Sequence, residues 1–289
     1  MSYGFKSKND YTLKHTLFID NPNQLDTLFF TDFHQGVNAV NTIPFEGGVF
    51  YFNNLGSATI SNNNTASLTA FGITAASGTI QLQTGTVSNN NAACAIATGG
   101  STNNAMLPGI PTPTSGLITK YEWESLICTG AAIFNGGATL GGAFRFGIMD
   151  STQGNISNGV YFEFLNNGIT NDESFNVVWR AGSAQERFNT GATYAASKTY
   201  RLYMSVEANT AGTVTTTYKI KNFTDATNVE GTATPSNTAR IPTAITAYCT
   251  PVIEINRDTS ITTTSIVLNL DYLAYRIRRP LTREFITSI

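Results

Sequence analysis

From residue 117 onward one pattern recurs along the chain. Short runs in which apolar and polar side chains alternate are separated by glycine, asparagine, aspartate, serine and threonine. Side chains on a strand point to its two faces in turn, so alternation marks a strand with one buried face. "LITKYEWESLI" places Tyr121 and Trp123 on one face and Glu122 and Glu124 on the other. "FRFGIMD" and "GVYFEF" follow as two strands of a hairpin, with Phe144, Phe146 and Ile148 in step on one and Val160, Phe162 and Phe164 on the other. "FNVVWR" aligns Phe175, Val177 and Trp179; "YRLYMSVE" aligns Leu202, Met204 and Val206; "TVTTTYKIK" aligns Val214, Thr216, Tyr218 and Ile220. "PVIEIN" is a further strand. The last, "SIVLNLDYLAYRIR" (265–278), is apolar on both faces, as expected of a central strand covered on each side. No helical period exceeds about two turns, and no repeat of fixed length appears, so the pattern predicts a β-sandwich or barrel.

The first part of the chain reads differently. Residues 1–46 hold both histidines, His15 and His34, and a dense aromatic set that includes Phe29, Phe30 and Phe33. This segment is expected to be an arm that packs along the body or docks on a partner, with an ordinary first strand and loop as the alternative. "GGVFYFNN" (47–54) reads as a strand. Residues 55–116 are low in complexity, with short strands expected around Thr59–Ile60, Leu68, Ile73, Ile80–Leu82 and Val87, ordered by packing against neighbours. "LPGIPTPTSG" is a proline-rich connection.

Composition strengthens the all-β reading. Charged residues make up 12%, about half the usual share, and hydroxyls and amides replace them. Threonine favours strands, while asparagine and glycine favour turns. The net charge of −2 and the lack of a broad basic face argue against a nucleic-acid partner. The cluster Arg276, Arg278, Arg279 and Arg283 is read as strand-edge charge or an interface with a neighbour. Cys94, Cys128 and Cys249 lack metal-type spacing and are expected to be buried free thiols. The N-terminus has no apolar core segment and no run is long enough to span a bilayer. Cytosolic synthesis without membrane insertion is therefore expected.

The order of strands from 117 to 279 resembles the concanavalin-A-like (laminin-G-like) jelly roll of tailed-phage virion proteins. The pieces that carry the resemblance are "GGAFRFGIMD", "GVYFEF", "FNVVWRAGSAQERFNTG", "TYRLYMSVEANTAGTVTTTYKIKN", "TARIPTAI" and "LNLDYLAYRI". It implies an all-β antiparallel jelly-roll β-sandwich over residues 47–279, an N-terminal arm over 1–46 and a C-terminal tail over 280–289. It further implies a non-enzymatic structural subunit of a virion, made in the host cytoplasm and exposed on capsid or tail as a decoration or short fibre protein. Its partners would be other virion proteins and further copies of itself, a trimer first. Phe29, Phe30, Phe33, Arg276, Arg278 and Arg279 are the assembly candidates. Two alternatives remain open: a lectin-like tail protein that recognises a host-surface glycan, and a glycoside hydrolase on the same fold.

Candidate chemistry is sparse. Glycosidases on this fold carry a pattern E-x-D-x-x-E; here Glu122 and Glu124 stand alone, and the expectation is two exposed glutamates on a solvated or interface face. The hairpin tip holds Asp150, Asn155, Ser157 and Asn158, with Asn171 and Asp172 nearby. One carboxylate among amides is a poor calcium site, so a plain turn is the default and calcium at Asp150 the alternative; no other cofactor is expected. A nucleophile triad lacks a histidine in the body of the chain. "GGATLGG" lacks the lysine of a phosphate loop. Trp123 and Trp179 are in step with apolar neighbours and are assigned to the core. Tyr161 and Tyr203 fall on the opposite faces and are the surface candidates for a glycan, with Asn155 and Asn158.

Overall fold

The computed structural model describes residues 24–31, 42–45, 48–55, 58–62, 79–85, 92–98, 120–134, 141–150, 156–167, 169–170, 172–208, 213–242, 249–257 and 264–280. In chain order the strands are β1 (Gln24–Thr31), β2 (Thr42–Phe45), β3 (Gly48–Leu55), β4 (Thr59–Asn62), β5 (Ile80–Gln83), β6 (Ala92–Thr98), β7 (Lys120–Thr129) and β8 (Gly142–Met149). They continue with β9 (Asn158–Asn166), β10 (Ser174–Ala181), β11 (Ala184–Thr193), β12 (Thr199–Ala208), β13 (Val214–Asn222), β14 (Thr227–Ala233), β15 (Thr250–Arg257) and β16 (Val267–Pro280). Among the described residues the one helical element is a 3₁₀ turn at Thr238–Arg240, and no helix is long and apolar enough to cross a membrane.

The strands form two antiparallel sheets. The first runs β14-β13-β12-β7-β16-β5-β4, with β1 also paired to β16; the second runs β11-β10-β9-β8-β15-β6-β3-β2. Within the segment expected to be an arm, Gln24–Thr31 and Thr42–Phe45 are therefore strands of the two sheets. Phe29 stands opposite Tyr275 and Phe30 opposite Ala274 in the register. Phe33, His15, His34, Leu68, Ile73 and Val87 lie outside the described residues.

The alternating stripes meet between the sheets. Phe144, Phe146 and Phe162 of the β8–β9 hairpin share one core with Trp123, Leu202 and Met204 of the first sheet, all at most 1% exposed. Each such side chain contributes about 1.5–3 kcal/mol through removal from water. Rings interlock across this core: Phe175 meets Tyr200 edge-on at 5.3 Å, and Phe164 stacks on Tyr194 at 4.2 Å. Both tryptophans are interior, as expected. The Trp179 Nε1–H donates to Thr216 Oγ1 at 2.9 Å, tying β10 of one sheet to β13 of the other. Thr216 thus sits in the apolar stripe of β13 as a hydrogen-bond acceptor. Cys128 and Cys249 are free, buried thiols.

The two-faced apolarity of the last strand has a different cause from the one expected. The pairing of β16 with β7 slips between Leu270 and Tyr272. Before the slip Leu268 and Leu270 face the core; after it Leu273 and Tyr275 do. An extra residue reverses the parity of the strand, so one buried face looks like two in the sequence. A second local constraint lies in the β8–β9 hairpin, where Gly147 faces Tyr161. A Cβ at Gly147 would fall 2.5 Å from the Tyr161 Cα and the Val160 carbonyl, so the two strands approach closely there.

Three strands carry no clear alternation in the sequence. The alanine-rich "AACAIAT" forms β6, which is central between β15 and β3. The polar "AQERFNTGAT" and "TNVEGTA" form β11 and β14, the edges of the two sheets. An edge strand with both faces near water needs no apolar stripe.

Candidate functional site

The outer face of the first sheet gathers Glu122, Glu124, Tyr203 and Arg276 of the side chains that the sequence singles out. On β7, Glu122 stands between Ser205 of β12 and Arg276 of β16, and Glu124 stands between Tyr203 and Ala274. The two glutamates are not exposed, contrary to expectation: they are 5% and 8% accessible. Longer neighbours arch over them from both sides. The Tyr203 hydroxyl donates to Glu122 at 2.7 Å, the Arg276 guanidinium pairs with the same carboxylate, and the Lys120 ammonium lies 3.3 Å away. Glu124 receives the Arg201 guanidinium at 2.5 Å and the hydroxyl of Tyr272.

Each carboxylate is thus clasped by one tyrosine and one arginine, with the roles of β12 and β16 exchanged between the two. The antiparallel order of three adjacent strands produces this, because a diagonal partner on one side of β7 has its counterpart on the other. Electrostatics follow from the geometry. Burial pulls the Glu122 carboxyl up, but the Tyr203 hydroxyl, Arg276 and Lys120 outweigh it and hold it below the ordinary carboxylate range. Burial and the adjoining carboxylates push the Tyr203 and Tyr272 phenols up, so both remain protonated donors.

Arg276 is thus paired with Glu122 within its own chain. Arg278 stands opposite Lys120 and Asp26 in the register, and Arg279 opposite Leu25. Tyr203 is half-buried on the outer face. Arg201 and Tyr272, which complete the arrangement, were not singled out as site residues. Their signal is the same alternation that turns Glu122 away from the core, but their identity as partners depends on which strands adjoin β7.

The outer face of the second sheet is closed, not open. Tyr161 was expected at the surface from its place opposite Val160 and Phe162; instead it is 1% exposed. With Met149, Ile156, Val178 and Val252 it forms a second, smaller apolar cluster. Burial and the nearby Glu163 push its phenol up. Beside this cluster runs a chain of charges. Arg145 donates through Nε to Glu163 at 2.8 Å and through Nη1 to Glu254 at 2.7 Å. Arg187 lies 3.1 Å from Glu163 and pairs with Asp172. Burial alone would lower the Arg145 pKa, but Glu163 and Glu254 raise it instead.

The hairpin tip is a staple. Asp150 Oδ1 accepts the Ser157 backbone N–H at 2.9 Å, and Oδ2 accepts the Asn158 side-chain amide at 2.8 Å. Asn158 in turn accepts the Gly182 N–H at 3.2 Å. Both carboxylate oxygens of the calcium candidate are engaged by the chain itself, and Asn158 is a bridging residue between β9 and the β10–β11 turn. Asn155 and Asn171 lie outside the described residues. Among the described residues no group of three or more histidine, cysteine, aspartate or glutamate side chains has the geometry to hold a metal. Among the described residues, the aromatics with the most surface were not foreseen: Phe188, against Tyr218 at the edge, and Phe223, beneath the Lys221 ammonium at 4.7 Å.

No family model matches the chain, and no curated protein matches it in sequence. Solved structures do match in fold. A protein of unknown function from Shewanella oneidensis MR-1 is similar over 89% of each chain at 14% identity, with a TM-score of 0.53. An endo-β-1,4-glucuronan lyase from the fungus Trichoderma reesei is similar over 86% of this chain and 94% of its own, at 10% identity and a TM-score of 0.51. The basic winged bean lectin, solved with Tn-antigen, is similar over 88% of this chain and 98% of its own, at 10% identity and a TM-score of 0.50. These likenesses and the two-sheet topology define the class: an all-β antiparallel jelly-roll sandwich of the concanavalin-A-like kind.

Proposed function

We propose that the chain is a non-catalytic recognition module that binds carbohydrate through the outer face of its first sheet. The observation that carries this reading is the double clasp on β7. A glycosidase needs one carboxyl that holds a proton near neutrality and a second that attacks or activates water. Glu122 is held below the ordinary range by a tyrosine, an arginine and a lysine, and Glu124 is bound by an arginine and a tyrosine. Such a pair is poor in acid–base chemistry. It is rich in oriented donors and acceptors, the currency of hydroxyl recognition. The similarity in fold to a lectin and a polysaccharide lyase is compatible with a saccharide ligand and does not select one.

The full chain on a glycan array tests this reading. Binding to at least one saccharide is expected, weakened about tenfold by Tyr203→Ala and by Arg276→Ala in proteins whose circular dichroism is unchanged. An array without a hit, or turnover of a polysaccharide that Glu122→Gln abolishes, overturns it.

The narrower form of the proposal makes the module an exposed subunit of a virion, on capsid or tail, assembled as a homo-oligomer with a trimer first. Its support is the resemblance carried by residues 117–279. Electron microscopy of particles bearing the labelled chain, and its mass in solution, decide that form. A monodisperse monomer that never joins particles refutes it.

A further inference from the structure

We infer that the saccharide recognised by this face is a neutral, hydroxyl-rich chain lying across the strands, and that a uronate or other acidic glycan is excluded. The inference rests on the proposal that this face binds carbohydrate, and it adds the chemical class of the ligand. The argument is one of charge compensation. Arg276 is paired with Glu122, and Arg201 with Glu124. Lys120 lies between Glu122 and Glu207, at 3.3 and 3.7 Å. Lys219 is 3.4 Å from Glu230, and Lys221 stands over the Phe223 ring. A ligand carboxylate would have to take a guanidinium from a glutamate that is at most 8% exposed. That would leave the glutamate charged, buried and unpaired, and the incoming anion would face two carboxylates of its own sign. A hydroxyl meets neither obstacle, since it donates to a carboxylate or phenol oxygen and accepts from a guanidinium N–H without displacing an ion pair.

The register supplies the direction. Two polar rows cross the first sheet. One runs Lys219, Tyr203, Glu124, Ala274; the other runs Thr217, Ser205, Glu122, Arg276. Neighbouring positions in a row are about 4.8 Å apart and the rows about 7 Å apart, as strand spacing and the two-residue repeat dictate. Both rows run perpendicular to the strands. Their partly exposed members are Lys219, Tyr203, Thr217 and Arg276, whereas Ser205, Ala274 and the two glutamates are buried.

Titration calorimetry of the full chain with neutral hexose oligosaccharides of increasing length, and with the oligouronates of the same linkages, tests the inference. A neutral oligosaccharide is expected to bind with affinity that rises up to several sugar units. Its uronate counterpart should bind at least tenfold more weakly, and raising salt from about 50 to 500 mM should change the neutral affinity less than twofold. Glu122→Gln and Glu124→Gln, which free Arg276 and Arg201, should narrow the preference by improving the uronate. A uronate that binds as well as its neutral partner, or affinity that falls steeply with salt, overturns the inference and leaves the carbohydrate reading standing. Failure of both ligand series on a folded protein overturns the carbohydrate reading itself.

Discussion

At the scale of single residues, the decisive feature is how a buried carboxylate on an outer sheet face is satisfied. Glu122 accepts from Tyr203 and pairs with Arg276 and Lys120, so its folded-state pKa is depressed. A depressed carboxyl stabilises the fold above its unfolded value, near 4.5, and that contribution is lost as pH falls through the folded value. Urea unfolding of the wild-type chain should therefore show a midpoint that drops between about pH 5 and pH 3. Glu122→Gln should be less stable at neutral pH by about 1.5–3 kcal/mol and should fall less steeply over the same interval. An identical pH slope in the variant would show that Glu122 does not carry this dependence. Tyr161 and Tyr203 illustrate what alternation leaves open at this scale. Both point away from the core by the same rule, yet Tyr203 reaches the outer surface and Tyr161 is sealed beneath a second apolar cluster with Ile156. The rule reports a face, and whether that face is covered depends on residues distant in sequence.

At the scale of elements, the slip in β16 holds two halves of one strand to the same core. Leu268 and Leu270 on one side of Asp271, and Leu273 and Tyr275 on the other, all point inward because one residue is absorbed between them. Deleting Asp271 should remove the slip without turning any side chain over. Leu270 would then be followed by Tyr272 in unbroken alternation, with Leu273 and Tyr275 still inward and every pairing with β7 kept. The deletion variant is expected to stay cooperatively folded, and Asp271→Ala to change stability by less than about 1 kcal/mol. A deletion variant that aggregates or loses near-ultraviolet dichroism would refute the account. Strands with one buried face were legible from their stripes: β7 through β10, β12 and β13 fall where the alternation puts them. The strands β6, β11 and β14 were not. Alanine gives β6 little contrast, and the edge strands β11 and β14 carry threonine, asparagine and charge on both faces.

At the scale of the whole molecule, the two outer faces have been put to different uses. The second sheet hides a charge chain beside apolar side chains, with Arg145 between Glu163 and Glu254, the latter fully inaccessible. Removing one member of such a network leaves unpaired charge in a place without water. Arg145→Ala should cost about 3–5 kcal/mol, measured by urea denaturation, and replacing Arg145, Glu163 and Glu254 together by Met, Leu and Leu should recover most of it. If Arg145→Ala were neutral, the network would be open to solvent and the face would be available for a ligand. The first sheet instead keeps its tyrosines and arginines within reach of the surface, which is why recognition is assigned there.

The amino-acid sequence by itself determined the class of fold, the residues of the shared core and the interior placement of both tryptophans. Those follow from side-chain alternation and turn chemistry, which act over a few neighbouring residues. Which carboxylate meets which guanidinium was decided only by tertiary structure. Glu122 and Arg276 are 154 positions apart and Arg145 and Glu254 are 109 apart, and nothing local in the chain encodes that β7 lies beside β16 or β8 beside β15. Sheet order converts isolated charges into a clasped pair of carboxylates on one side of the molecule and a sealed ionic layer on the other, because a charge in a protein takes its energy from its partners and its access to water.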